Sequence, residues 1–144
     1  MRDFDEFLSE SPAQTESFAE AFAHRLKPGD VLAFRGGMGA GKTAFVRGLA
    51  KGLGCRGEVS SPTFALVHEY AGPVPLYHFD MYRINSIEDL YSTGYFDYLD
   101  AGGILAVEWS ENIDSVLEDG TIYVTLEPTA ENTRRITISG GKKD

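Results

Sequence analysis

Residues 30–53 read DVLAFRGGMGAGKTAFVRGLAKGL, and within them Gly36-Gly37-Met38-Gly39-Ala40-Gly41-Lys42-Thr43 fits the pattern G-x-x-x-x-G-K-[ST]. The flanks are those the pattern requires. Residues 30–35 form a short apolar strand centred on VLAF. Residues 42–53 form a helix with Phe45, Val46, Leu49 and Leu53 on one side, and Gly54 stops it. Glycines let the backbone take positive φ and turn its N–H groups inward as a nest for phosphate oxygens. The positive end of the following helix points at the same anion. Nucleotide-binding groups are therefore expected from Gly37, Met38, Gly39, Ala40, Gly41, Lys42, Thr43 and Ala44, with Lys42 at the β- and γ-phosphates and the Thr43 hydroxyl on Mg²⁺. In a chain of 144 residues such a pattern arises by chance about one time in a hundred or less. A phosphate nest does not choose the base. Guanine selection uses an Asn-Lys-x-Asp type of loop, and Asn85, Asn112 and Asn132 have the wrong neighbours, which favours ATP.

Outward from this loop, two acids stand where an α/β sheet places its ligands, beyond the carboxyl ends of strands. Asp80 ends the run PLYHFD (residues 75–80), and Glu108 ends GILAVE within the apolar stretch 103–109. One carboxylate near Thr43 would hold Mg²⁺ and the other would orient or deprotonate the attacking water. The residues alone leave open which does which, and either acid could simply cap the turn that follows it. Ser60-Ser61-Pro62-Thr63-Phe64 lies between the phosphate helix and the next strand, where switch proteins sense the γ-phosphate. Thr63 offers a hydroxyl there, with an ordinary serine–proline turn as the other reading. Trp109 follows Glu108 and should face the opposite side of its strand, packing beside the nucleotide or, more commonly for such a residue, filling the core. His24, His68 and His78 show no metal spacing. Cys55 has no partner motif and is expected to be inert, and Arg134-Arg135 is expected on a solvated strand face.

The remaining pattern predicts a helix over residues 15–26 with Thr15 as its N-cap, and strands over 64–70 and 75–80 joined by a tight turn. A short helix should open at Ser86 through a capping box with Asp89 nearby. Two solvated-edge strands, 121–127 and 134–139, should close the chain as a hairpin. Strand–helix–strand order followed by hairpins implies one α/β domain over residues 1–144, a P-loop NTPase-like three-layer sandwich with a mixed sheet. With 13 basic against 22 acidic residues and a net charge of −9, the chain is not expected to grip nucleic acid by charge alone. A single cysteine excludes an intrachain disulfide. The acidic start lacks the basic-then-apolar order of a signal peptide, and no apolar run reaches the about 18 residues of a membrane span. A cytoplasmic domain is expected.

Taken in order, GGMGAGKTAFVRGLAKGLG, VSSPTFALVHEY, LYHFDMYRI and AVEWSEN resemble the TsaE (YjeE) family of bacterial P-loop ATPases, which is required for threonylcarbamoyladenosine formation in tRNA. The resemblance covers residues 15–112 and is weak over the final hairpin. It implies phosphate and Mg²⁺ duties for Lys42 and Thr43, Glu108 as the metal-side acid, and a switch-like segment around Thr63. Asp80 and Trp109 would complete the hydrolytic site, Lys42, Asp80 and Glu108 being its catalytic set. Arg83 would lie near the phosphates or a partner surface. It further implies feeble ATPase activity alone and a complex with TsaB and TsaD, in which TsaD transfers the threonylcarbamoyl group and ATP hydrolysis resets the complex. On this reading tRNA is met only through the complex, and no membrane is involved. Two departures stand out: Gly37 where many relatives carry Asp, and Ser110 where a proline often follows Glu-Trp, which puts the rigidity of that corner in question. Two other functions use the same cradle, a small-molecule kinase and a non-hydrolysing nucleotide switch. Against the kinase, the arginines beyond the loop (Arg47, Arg56, Arg83, Arg134 and Arg135) lie in no insertion long enough for a lid.

Overall fold

The computed structural model describes residues 4–35, 41–56, 58–60 and 67–140. The chain order is β1 (Phe4–Ser9), α1 (Pro12–Ala23), β2 (Val31–Arg35), α2 (Lys42–Gly52), β3 (Glu58–Ser60), β4 (Val67–Tyr70), β5 (Leu76–Asp80), α3 (Ile87–Ser92), α4 (Tyr95–Leu99), β6 (Ile104–Glu108), a 3₁₀ segment (Ser110–Val116), β7 (Ile122–Pro128) and β8 (Arg134–Gly140). The eight strands found among the described residues join one sheet in the order β1-β8-β7-β2-β6-β5-β4-β3. β2 runs parallel to both β6 and β7, and β5 parallel to β6, while both flanks are antiparallel. This is the expected mixed sheet in a three-layer sandwich.

Alternation along the central strands explains the layers. In β6, Ile104 and Ala106 enter a core with Phe22 of α1 and Phe45 and Leu49 of α2, whereas Leu105 and Val107 enter a second core with Leu90 of α3 and Tyr95 of α4. Helices α1 and α2 approach very closely. A Cβ on Gly48 would stand 2.2 Å from the Glu16 carbonyl oxygen, and one on Gly52 would stand 2.3 Å from that of Glu20. Ala19 and Ala23 line the same seam. Small residues four apart on both helices thus let α1 and α2 pack backbone against backbone.

Several boundaries differ from expectation. The N-cap of α1 is Ser11, whose side chain accepts from the Gln14 N–H, and Pro12 supplies the preset first-turn φ. Thr15 is instead buried, its hydroxyl 2.7 Å from that of Ser9. The closing hairpin is present, yet neither of its strands is an edge: β7 lies between β2 and β8, and β8 is covered by β1. Alternation reports which face is wet, not which strand lies outermost. Arg135 keeps its exposed setting and pairs with Glu6 at 3.2 Å, but Arg134 is half-buried and ties the hairpin by donating to the carbonyls of Ala130, Glu131 and Thr133. The Cys55 thiol is half-buried against the Tyr70 carbonyl, and burial pushes it up, as suits an inert residue. Among the described residues no helix is long and apolar enough to cross a membrane.

Two outcomes follow from this packing. Gly→Ala inside a helix ordinarily gains about 1 kcal/mol. Gly48→Ala should instead lose about 2 kcal/mol in urea unfolding, since the added methyl meets backbone rather than a yielding side chain. Burial, with Glu118 nearby, pushes the Tyr95 phenol up to about 12, and the hydrogen bond to Glu69, with burial, does the same for Tyr98. The folded state therefore holds protons that an unfolded chain releases near pH ~10. This contribution is complete below pH ~10 and disappears as pH rises toward 12, so urea midpoints should fall across that window while tyrosinate absorbance lags.

Candidate functional site

Between the start of α2 and the carboxyl ends of β5 and β6 lies a cleft of about 630 Å³, within the range of small-ligand pockets. Its wall on the helix side is Gly41, Lys42 and Thr43 at the start of α2; the opposite wall is Asp80, Glu108 and Trp109, with Tyr82 at the rim. Gly41 is the N-cap of α2 with φ +95, a conformation that a side chain rarely adopts, so glycine is required where the chain turns into the helix. Ala44, expected among the nucleotide-binding groups, is buried on α2 and does not line the cleft. It offers its backbone only, as one of the first-turn residues whose N–H groups lack an intrahelical acceptor. Gly37, Met38, Gly39, Ala40 and Thr63 lie outside the described residues.

The two acids are brought together by register: Asp80 of β5 stands directly beside Glu108 of β6 in the parallel pair. Asp80 is exposed and accepts a 3.0 Å hydrogen bond from the Tyr82 N–H, so it caps its turn and also faces the cleft. Glu108 is half-buried. Its Oε1 is 3.9 Å from Lys42 Nζ, a Coulomb contact longer than a hydrogen bond, and its Oε2 is 2.5 Å from His78 Nε2. Burial pushes the Glu108 carboxyl up, but the His78 hydrogen bond and the charges of His78, Lys42 and His68 outweigh it and hold the group below its ordinary value. Lys42, only 6% exposed, thus places its ammonium inside the cleft near one anion without a direct hydrogen bond to it.

Trp109 joins the core, one of the two expected placements, and it also lines the cleft. Its ring packs against the second core, and its face lies 5.7 Å from Lys42 Nζ and 5.0 Å from the Tyr82 ring. This requires φ +58, the only positive φ at a non-glycine among the described residues, at a cost of about 1–3 kcal/mol. Ser110 holds the corner. It is fully buried and donates a 3.0 Å hydrogen bond to the Phe34 carbonyl at the end of β2, while Asn112 Nδ2 donates to the Met81 carbonyl at 2.8 Å. The corner is therefore pinned by side-chain hydrogen bonds rather than by a proline ring.

Two residues at the site carry roles beyond the sequence reading: Tyr82, which lines the cleft, and His78, which lies outside its lining and reaches it only through Glu108. His78 shows no metal spacing, yet it sits two places before Asp80 on an alternating strand and must share its face. Tyr82 carried no signal beyond its neighbour Asp80. Arg83 is exposed and does not line the cleft. Among the described residues no group of three or more His, Cys, Asp or Glu is arranged to hold a metal by itself, so any cation here would share its shell with the Thr43 hydroxyl, water or a ligand. Ser110→Ala is expected to cost about 1 kcal/mol in urea unfolding, by stranding the Phe34 carbonyl, and to weaken the near-ultraviolet dichroism of Trp109.

A family profile described as "Threonylcarbamoyl adenosine biosynthesis protein TsaE" matches residues 9–136. Proteins named "tRNA threonylcarbamoyladenosine biosynthesis protein TsaE" are similar over most of the chain. The one from Treponema pallidum is 37% identical over 92% of this chain and 98% of its own length, and the one from Bacillus subtilis is 39% identical over 90% and 81%. A solved structure titled "Crystal structure of Bacillus subtilus YdiB" superposes with a TM-score of 0.78 at 31% identity, covering 99% of this chain and 88% of that one. A phosphate-loop signature opening α2, two acids in register across the cleft from it, and matches of this extent together mean that the chain belongs to the TsaE family of threonylcarbamoyl adenosine biosynthesis proteins.

Proposed function

We propose that this chain binds ATP with Mg²⁺ and hydrolyses it slowly, as the nucleotide-driven subunit of the machinery that makes N6-threonylcarbamoyladenosine in tRNA. One observation carries the reading: Lys42, Thr43, Asp80 and Glu108 line a single cleft at the start of α2. Lys42 holds the β- and γ-phosphates by charge, and the first-turn N–H groups of α2 direct their dipoles at the same oxygens. A hydroxyl and two carboxylates are hard oxygen donors of the kind Mg²⁺ takes, with Thr43 and Glu108 as the residues that would hold it. When bound, the ion supplies neutralisation of the charge on the phosphate oxygens. Glu108, held below its ordinary range, stays ionised for that role. Asp80, exposed at the cleft mouth, orients the attacking water and accepts its proton. Trp109 and Tyr82 form an aromatic wall that limits solvent on that side.

Membership of the TsaE family supports a role for this site in threonylcarbamoyladenosine biosynthesis. A net charge of −9 suits a protein that acts on an RNA-binding partner rather than on RNA itself. The partner is the TsaB–TsaD heterodimer, in which TsaD transfers the threonylcarbamoyl group and ATP hydrolysis by this chain resets the complex between turnovers.

Phosphate release under single-turnover conditions, with and without TsaB–TsaD, tests the reading. Release is expected to be slow alone and at least about tenfold faster with the heterodimer. Lys42→Ala should weaken ATP binding by about 100-fold, followed by emission from Trp109, the only tryptophan. Asp80→Ala and Glu108→Ala should each lower turnover by about 100-fold while changing ATP affinity less. Absence of release in every combination would favour a nucleotide-dependent scaffold, and partner-free phosphoryl transfer to a metabolite would favour a kinase.

A further inference from the structure

Glu108 is held from two sides. His78 Nε2 lies 2.5 Å from one carboxylate oxygen, and Lys42 Nζ lies 3.9 Å from the other. His78 comes from β5, two residues before Asp80 and on the same face. Its register partner on β6 is Ala106, whose methyl leaves the way open for the ring to reach diagonally to Glu108. The ring is backed in turn by His68 of β4, which faces His78 in the antiparallel register with ring centroids 5.9 Å apart. The two bonded side chains are only 15% and 20% exposed, so the contact is shielded from water. An ionised carboxylate only accepts, which makes the His78 Nε2–H the donor.

We propose that His78 is a positioning residue: by anchoring one oxygen of Glu108 against the sheet, it leaves the other facing the cleft beside Lys42 as the oxygen offered to the divalent cation. This rests on the reading of Glu108 as the metal-side acid. A glutamate has several rotatable bonds, and without the anchor its carboxylate is free to turn both oxygens onto the Lys42 ammonium, removing an oxygen from the metal and a cation from the phosphates. Outer partners of metal-holding groups act in this way, and their loss typically costs 10–100-fold in metal affinity or activity.

The test uses the full chain as wild type, His78→Leu, His78→Gln and Glu108→Ala. A glutamine amide nitrogen can reach the place of Nε2, whereas leucine fills the space without a donor. Mn²⁺ binding to the ADP-saturated protein, read by electron paramagnetic resonance, should weaken about tenfold or more in His78→Leu and return to within about threefold of wild type in His78→Gln. The metal-free, nucleotide-free wild type should show His78 protonated at Nε2 in long-range ¹H–¹⁵N spectra, a readout that does not depend on any variant folding. An unprotonated Nε2 overturns the proposal. So does wild-type Mn²⁺ affinity in His78→Leu, or equal loss in folded His78→Gln and His78→Leu. If Glu108→Ala weakens Mn²⁺ binding while His78→Leu does not, only the role of His78 falls. If Glu108→Ala leaves Mn²⁺ binding unchanged, the metal-side reading of Glu108 falls and the proposal falls with it.

Discussion

The parallel pairing of β5 with β6 is the constraint on which the cleft depends. Because Leu76 pairs with Ile104, every later position is set, and Asp80 arrives beside Glu108 at the carboxyl ends of both strands. A slip of one residue would turn Asp80 and His78 toward the second core and leave Lys42 facing a single acid. The register is itself held by burial on both faces of β6, where Ile104 and Ala106 serve one core and Leu105 and Val107 the other. Packing thus sets chemistry: apolar residues that never meet a ligand determine the spacing of the acids that would.

The other half of the cleft is delivered by α2, which packs against α1 through a close glycine seam. Ion pairs from Glu16 to Arg47 and Lys51 cross the same helix pair at the surface, but exposed pairs of this kind contribute little beside the backbone contact. The strain at Trp109 belongs to the same arrangement. Turning the chain sharply after Glu108 lets one ring close the core below and face Lys42 above, and the buried Ser110 hydroxyl offsets part of the cost.

Much of this was legible in the residues. The loop motif with its flanks, the apolar run ending at Glu108 and the run ending at Asp80 each carry a local signal, and the rule that ligands lie at strand ends joins them. The N-terminal strand was not legible, since FDEFLS has no clear alternation and is defined only by pairing with β8, far away in sequence. The edge status of the closing hairpin failed for the same reason. Thr15 was a sound cap by type, but Ser11-Pro12 outcompetes it. The His78–Glu108 contact joins two strands remote in sequence, so face sharing with Asp80 was the only clue to it. Ser110 shows that a missing proline does not imply a loose corner when a hydroxyl can reach a carbonyl.

The central claim is that one cation site lies between α2 and the end of β6, beside the phosphate loop. A crystal grown with Mn²⁺ and a non-hydrolysable ATP analogue, measured at a wavelength where manganese scatters anomalously, tests it directly. The account predicts a single strong anomalous peak within coordination distance of the Thr43 hydroxyl and of the Glu108 oxygen not bonded to His78, with the β- and γ-phosphates against the start of α2. A peak remote from Glu108, or a triphosphate bound away from residues 41–43, would contradict it.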